Sequence, residues 1–512
     1  EDGSKSEAKA YMGIGSENGS FAGAVYSAKF ANWRFHIDAY YYKDDAKIAT
    51  NGKDGLSYSP LPANVALSRS GDAQVWQDTK AISLALSNGE FSVTGRITSY
   101  KMGSAFGNLN ALPNDAGRQE MPSWYVEAKY KKEILDYVYA EAKAGYMEDG
   151  WQSYAQSYPA GVTIGVPYPD GYWADLALKN SITYGGLSLK YDGFGKHSPK
   201  IGIYQSDEKN IEVRSITTNR DTGTGWVDYS SSAPFFDGPS AKRKTTKLYM
   251  SDTWDASDDI ALSAEINSDK GSDFDRQNDY RLAFVWQVSD EDIVKLMTST
   301  AYRAPAWQEL YIMNNPARVG NRNLKPERVR AYEAQYIKKL RQEDSIGANI
   351  FYLENKNQIN KINSDNQFRN SSDSRIAGAE IEYKNKFDFG GFLYLGYSYI
   401  GGTTSSENSL PAAASHMLKG AFTSKLGSGF SIGTSAIYVG SKKRVAGDTR
   451  DDTPSYTTAD LVLNYDTKGW GVQTGVKNIA DATILYPSEQ RTYSGDYPIG
   501  KRFFFVKLYG RF

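Results

Sequence analysis

Apolar and polar residues alternate strictly in segment after segment of this 512-residue chain, which confines the backbone to strands whose successive side chains point to opposite faces. In 260–267, Ile260, Leu262, Ala264 and Ile266 share one face, with Ala261, Ser263, Glu265 and Asn267 on the other. In 280–288, Tyr280, Leu282, Phe284, Trp286 and Val288 oppose Arg281, Ala283, Val285 and Gln287. Near the end Ala459, Leu461, Leu463 and Tyr465 oppose Asp460, Val462, Asn464 and Asp466. Two architectures accept such strands. In a soluble sandwich the apolar face meets a second sheet, whereas in a membrane barrel it meets lipid and the polar face lines a wet lumen.

The connections favour the barrel. Short turns recur near Ala31-Asn32, Asn88-Gly89, Lys131-Lys132, Gly185-Gly186, Ala256-Ser257, Ser289-Asp290, Arg341-Gln342, Phe387-Asp388, Gly427-Ser428 and Thr467-Lys468. Between them lie connections that are mostly much longer, roughly 44–79, 102–122, 148–172, 192–242, 303–328, 354–374, 401–415, 440–454 and 483–499, rich in Gly, Pro, Asn, Asp and aromatics. Ten short turns alternating with eleven outer connections imply about 22 strands. The expected fold is therefore an all-β, antiparallel, up-and-down transmembrane β-barrel filling 1–512, with short periplasmic turns and long extracellular loops.

Composition agrees where it bears on this choice. The 38 Tyr, 21 Phe and 10 Trp suit strands and interfacial girdles. A mean hydropathy of -0.56 would ordinarily indicate a soluble protein, and no run approaches the ~18 apolar residues of a membrane helix, but a barrel strand need be only half apolar. Lys plus Arg (59) nearly balance Asp plus Glu (60), which gives no bulk field for nucleic acid. The absence of Cys excludes thiol catalysis and Cys zinc sites and is compatible with an oxidising periplasm. The polar start Glu1-Asp2-Gly3-Ser4-Lys5 has no apolar signal segment, so the sequence is read as mature or trimmed.

Local motifs narrow the class. Ser299-Thr300-Ala301-Tyr302-Arg303-Ala304-Pro305 is followed by Glu309-Leu310-Tyr311 and then by Gly320-Asn321-Arg322-Asn323-Leu324-Lys325-Pro326-Glu327. This series resembles the barrel of a TonB-dependent transporter, where an aromatic-Arg-Ala-Pro segment, a Glu-Leu-Tyr and a Gly-Asn-x-x-Leu-x-Pro-Glu occur in that order. Ile376-Ala377-Gly378-Ala379-Glu380-Ile381-Glu382 resembles the family's Gly-x-Glu strand, Pro411 with His416 its next strand entrance, and Val476-Lys477-Asn478-Ile479-Ala480-Asp481 with Tyr486 its penultimate signature. The last strand ends on Phe512, with Leu508, Val506 and Phe504 on the same face, and is similar to the signal read by outer-membrane assembly machinery. The resemblance spans 250–512, while the first half fits in strand rhythm, with Ala8–Asp45 like the opening strands of such a barrel.

The resemblance implies an uptake receptor in the bacterial outer membrane, not an enzyme, for a scarce metal chelate such as a ferric siderophore. It implies coupling to TonB-ExbB-ExbD through a plug, surroundings of outer-membrane lipid and lipopolysaccharide, and no cofactor. One feature departs from the family: neither a TonB-box nor an Arg-Gly-Pro segment is present, and strand rhythm begins almost at once. A lumen of this size leaks unless filled, so a plug is expected from a separate chain or a removed segment. A passive or ligand-gated porin and a soluble β-rich binding or adhesion protein are the alternatives.

Site candidates follow from residue chemistry. His36, His197 and His416 lie in unrelated contexts, so neither a His-based triad nor a metal site is expected. Some haem receptors of the family keep a His in the stretch corresponding to 306–320; none occurs here, although Tyr311 or Met313 could reach iron. Asp269, Asp273, Asp275 and Asp279 fail the spacing of a calcium loop and read as a solvated acidic segment. Trp151, Tyr154, Tyr158, Tyr168, Tyr172 and Trp173 crowd one expected outer loop, and Trp307, Tyr311 and Arg318 another. Flat rings stack on planar ligands and Arg pairs with chelate oxygens, but an aromatic girdle explains the same rings. The motif residues Tyr302, Arg303, Pro305, Asn321, Leu324, Pro326, Glu327, Asn478, Asp481 and Phe512 are read as mainly structural: Pro ends strands, and Asn and Asp form turns.

Overall fold

The computed structural model describes residues 6–315, 317–341, 343–362 and 365–512. The main sheet has 23 strands, of which Trp226–Asp228 is a three-residue addition to one wall, leaving 22 that close into a barrel. Closure joins the first strand, Glu7–Gly15, to the last, Phe503–Arg511, with Met12 opposite Leu508 and Ile14 opposite Val506. Reciprocal backbone bonds of 3.1 and 2.8 Å between Ala8 and Phe512 complete the seam. A sheet closed on itself has no edge, so its backbone polar groups are paired where no water is available.

Alternation sorts the side chains as expected. Leu282, Leu296 and Leu508 are exposed, and Ile266 and Ile350 are each 61% exposed, a level no soluble sheet sustains over a continuous surface. Continuity follows from the register, which places Met250 opposite Ile266, Ala264 opposite Leu282 and Phe284 opposite Leu296. The intervening residues of these and neighbouring strands, among them Glu265, Arg281, Lys295, Gln335, Asn349 and Glu380, line the lumen. Aromatic rings on this inner wall pack over glycines of the adjoining strand. A Cβ added to Gly23, Gly145, Gly202 or Gly471 would stand 2.4 Å from the ring of Tyr11, Tyr184, Tyr249 or Tyr509 respectively.

Most turns fall where the sequence places them. At Asn88-Gly89, Gly89 takes φ 94° and the Asn88 side chain accepts from Phe91 N at 2.8 Å. Gln342 of the Arg341-Gln342 turn, and Glu1–Lys5, lie outside the described residues. Two turns move. Lys131-Lys132 lies inside Arg118–Leu135, and the turn is 136–137. Gly185-Gly186 lies inside Tyr172–Tyr191, and the turn is 192–199. The stretch 192–242 is consequently not one outer connection: the 19-residue strand Lys200–Thr218 runs through it, and the loop is 219–241. A glycine pair normally signals a turn, but here it permits close strand approach, since a Cβ on Gly186 would meet Ile203 O at 3.0 Å and the Tyr204 ring at 3.3 Å.

Strand length is uneven. Arg118–Leu135, Val138–Tyr158, Tyr172–Tyr191 and Lys200–Thr218 have 18, 21, 20 and 19 residues, about twice the ~9–11 that span a bilayer. Their lower ends meet at short turns, so the excess stands above the membrane as a tall wall. The loop expected at 148–172 shrinks accordingly to 159–171, and the one expected at 354–374 shrinks to 362–367 because the strands that flank it, Ser345–Lys361 and Phe368–Lys386, are also long, at 17 and 19 residues.

Candidate functional site at the extracellular mouth

The six aromatics expected to share one loop are split three ways. Trp151, Tyr154 and Tyr158 belong to the strand Val138–Tyr158, Tyr172 and Trp173 open the next strand, and only Tyr168 is in the loop. Strand geometry turns Trp151 and Tyr154 to opposite faces. Trp151 points inward and packs against Phe235 at 6.2 Å. Tyr154 points outward beside Trp173, at 5.6 Å, and Trp226, at 6.3 Å. Tyr158 and Tyr172 pack against a small core of Leu56, Ala111, Val162 and Tyr168 that ties three loops together. Burial raises the Tyr168 phenol above its ordinary range.

The inward set is the best-formed aromatic surface at the mouth. Phe235, Phe236, Ala241, Leu310, Tyr311 and Leu324 form a buried cluster, with Trp151, Leu176, Leu178, Val213 and Trp307 against it. Trp151 is thus brought from a distant strand to Trp307 and Tyr311 of one short helix, and Arg318 stands exposed in the same loop as the latter two. Tyr311 is 9% exposed, its phenol raised by burial, with Phe236 edge-on at 6.2 Å and the Arg322 guanidinium over its ring at 5.6 Å. Arg322 also pairs with Asp237. Burial places Tyr311 as packing rather than as an open iron ligand, while Met313 is 39% exposed.

The motif residues knit this loop to the wall. Arg303 donates to Glu327 at 2.6 Å and to both carboxylate oxygens of Glu309 at 3.0 Å, and Glu309 caps its own short helix by accepting from Ala306 N at 2.7 Å. Tyr302 packs on Phe274 at 5.5 Å, and the carbonyl of buried Pro305 accepts from Arg243 at 2.8 Å. Asn321 donates to Phe368 O at 2.9 Å, while Leu324 and Pro326 are buried. Asn478 and Asp481 both take φ 50°, and Asn478 bonds the Ala482 backbone twice at 2.9 Å. Phe512 is exposed on the lipid-facing side with Phe504, Val506 and Leu508.

Three of the four aspartates of the acidic segment are held by burial or ion pairing, and Asp275 alone of the four is exposed. Asp269 and Asp279 are buried at 6% and 7%, Asp273 pairs with Arg243 at 2.8 Å, and Asp279 with Arg328 at 3.0 Å. No group of acidic and histidine side chains among the described residues is arranged to hold a metal ion.

A second assembly, unsuspected from sequence, joins the loops 44–76, 104–117, 440–455 and 478–502. Tyr493, 2% exposed, donates to Phe106 O at 2.8 Å, and Asp54 accepts from Leu56 N at 3.2 Å and Leu112 N at 3.0 Å. Arg450 grips Asp448, Ser488 O and Tyr493 O, and Arg444 pairs with Asp496 at 2.8 Å, each of the latter two side chains 8% exposed. Hydrogen bonding to Arg450 holds the Asp448 carboxyl below the usual carboxylate range. A depressed folded-state value contributes stability that is present above the ordinary range and is lost as pH falls through the depressed one. Acidification is therefore expected to speed protease cleavage of loop 440–455, with a smaller acid effect in Asp448→Asn; limited proteolysis across pH measures both.

A closed 22-strand wall, apolar outside and polar within, with its long loops gathered at one end, defines an outer-membrane transport receptor barrel. The family model for "TonB dependent receptor-like, beta-barrel" matches residues 66–479, and the chain belongs to that family. Among solved structures it is similar to the ferric enterobactin receptor PfeA of Pseudomonas aeruginosa, with TM-score 0.74, 14% identity, and coverage of 100% of this chain and 81% of that one. It is similar also to the ferric-catecholate import receptor Fiu of E. coli K12, with TM-score 0.74, 13% identity and coverage of 99% and 82%. The siderophore receptor PiuA of Acinetobacter baumannii gives TM-score 0.73, 13% identity and coverage of 99% and 82%. None of the curated proteins matches the sequence.

Proposed function

We propose that this barrel takes up a scarce metal chelate, a ferric siderophore foremost, in an energy-coupled step driven by TonB-ExbB-ExbD through a plug that another chain, or a segment outside this sequence, supplies. The observation that carries the reading is the inward aromatic cluster at the mouth, where the half-buried rings of Trp151 and Trp307, the Arg322 guanidinium lying over buried Tyr311, and Arg318 exposed in the same loop supply π faces and guanidinium groups suited to an anionic chelate. The solved receptors of like fold are named for ferric enterobactin and ferric catecholates, which supports the same cargo class. The polar inner wall, with Glu265, Arg281, Lys295 and Glu380, suits a hydrated plug packed against it. The test is uptake of a radiolabelled ferric catecholate by cells carrying the gene in its native context, with and without a protonophore. Uptake is expected to fall at least tenfold when the proton-motive force collapses. Uptake indifferent to the protonophore identifies a passive channel instead.

A further inference from the structure

The roof of the mouth buries one more cation than it pairs. Lys442 is 6% exposed, yet its ammonium, with three N–H groups to give, makes one long bond, to Leu485 O at 3.5 Å, beside the Tyr456 ring at 4.9 Å. Burial pushes the amine below the ordinary lysine range. The carboxylate that faces it is Asp496, which is already bound by Arg444 at 2.8 Å and by Ser488 N at 3.2 Å. Arg450 is matched by Asp448. Of the other acidic groups in 440–455 and 478–502, Asp451, Asp452, Asp481 and Glu489 are exposed, and buried Asp54 of the first loop faces Arg69. Asp452 accepts from Arg444 N at 3.3 Å. Among the described residues no ion pair engages Lys442. A desolvated charge is costly unless it is paired.

Two further donors stand with this charge. Lys442 and Thr453 oppose each other in an antiparallel bridge and exchange backbone bonds of 3.0 Å each, which puts their side chains on one face. Arg444, two residues on, reaches the same Asp496 that faces Lys442. Its Nε and Nη2 are engaged by Asp451 O at 2.6 Å and Asp496 at 2.8 Å, so the guanidinium is fixed. Among the described residues Arg444 Nη1 and Thr453 Oγ1 are buried with no hydrogen-bond partner, and Thr453 is 0% exposed. An ammonium, a guanidinium N–H and a hydroxyl, all desolvated around a single positive charge in excess, suit a small monovalent anion. Phosphate or sulfate would bring about two negative charges to a site that lacks one, and groups so buried admit no bulky chelate.

We propose that the roof binds a halide, chloride from the surrounding medium, through Lys442 Nζ, Arg444 Nη1 and Thr453 Oγ1, and that the ion locks loop 440–455 onto loop 478–502. Arg444 then answers Asp496, and the halide answers Lys442. An ion that binds only the closed roof stabilises it by mass action, so closure follows chloride concentration. The test compares limited proteolysis of the receptor in sodium chloride and in sodium gluconate at equal ionic strength, and reads anomalous scattering from a crystal soaked in sodium bromide. Cleavage of 440–455 and 478–502 is expected to be about tenfold slower in chloride, with a bromide peak between the three donors. Lys442→Met keeps the length of the side chain and removes the charge in excess, so its roof should resist cleavage equally in both salts. Thr453→Val should shrink the chloride effect without changing any charge. Heat-modifiable migration confirms that each variant is folded. Cleavage of the parent indifferent to chloride overturns the proposal, and a bromide peak in that case marks an adventitious ion only. A chloride effect undiminished in Lys442→Met overturns it in favour of general salt screening. Stronger protection by sulfate than by chloride overturns the halide in favour of a divalent oxyanion.

Discussion

Leu282→Arg is expected to destabilise the bilayer-inserted receptor by roughly 2–4 kcal/mol, the cost of a cation near the middle of a barrel's lipid face. Leu282 is 47% exposed and opposes Ala264 and Thr298 in the apolar belt. In a water-soluble protein so exposed a leucine could become arginine at a cost near zero, within about 0.5 kcal/mol. The sign and size of the effect therefore report on the solvent around the barrel. Reversible urea unfolding in short-chain phosphatidylcholine vesicles, with Arg281→Leu on the lumenal side for contrast, gives the measurement. Equal stability of Leu282→Arg and the parent protein would remove the lipid-facing assignment of that whole face.

Arg444→Met is expected to release the loop assembly at the mouth. The Arg444–Asp496 pair is desolvated on both sides, Arg444 Nε also donates to Asp451 O at 2.6 Å, and Asp496 also accepts from Ser488 N at 3.2 Å. Removing one member of such a pair strands the other charge, which costs about 3–5 kcal/mol. Applied to a local opening, the lower figure corresponds to roughly a hundredfold more open state, hence faster proteolysis of 440–455 and 478–502. The double variant Arg444→Met with Asp496→Leu should recover much of the loss, because no charge is then left unpaired. Cleavage no faster in Arg444→Met than in the parent would show that the loops are held by other contacts.

The barrel itself was legible because a two-residue period is a local property: any eight residues such as 260–267 display it. One of the two displaced turns failed for a local reason as well, since Gly185-Gly186 carries the signal of a turn while serving a close strand approach. The aromatics of the mouth were found as residue types but not as a constellation. Tyr154 and Trp151 differ by three positions, and their opposite facing was available from parity alone once the strand was known to continue past 148. The loop assembly had no local signal at all. Tyr493 bonds Phe106 across 387 positions and Ser494 bonds Lys53 across 441, neighbours only because closing the barrel sets the first loops beside the last.

That seam has a mechanical corollary. One flank of the entrance is continuous sheet, cross-tied by backbone from membrane to tip, and it moves only as the barrel moves. The other flank is roofed by chain from near the two termini, fastened through side chains such as Arg450 and Tyr493. A roof fastened by side chains can open while the barrel stays intact, so distance probes placed there and on the sheet flank are expected to report unequal mobility.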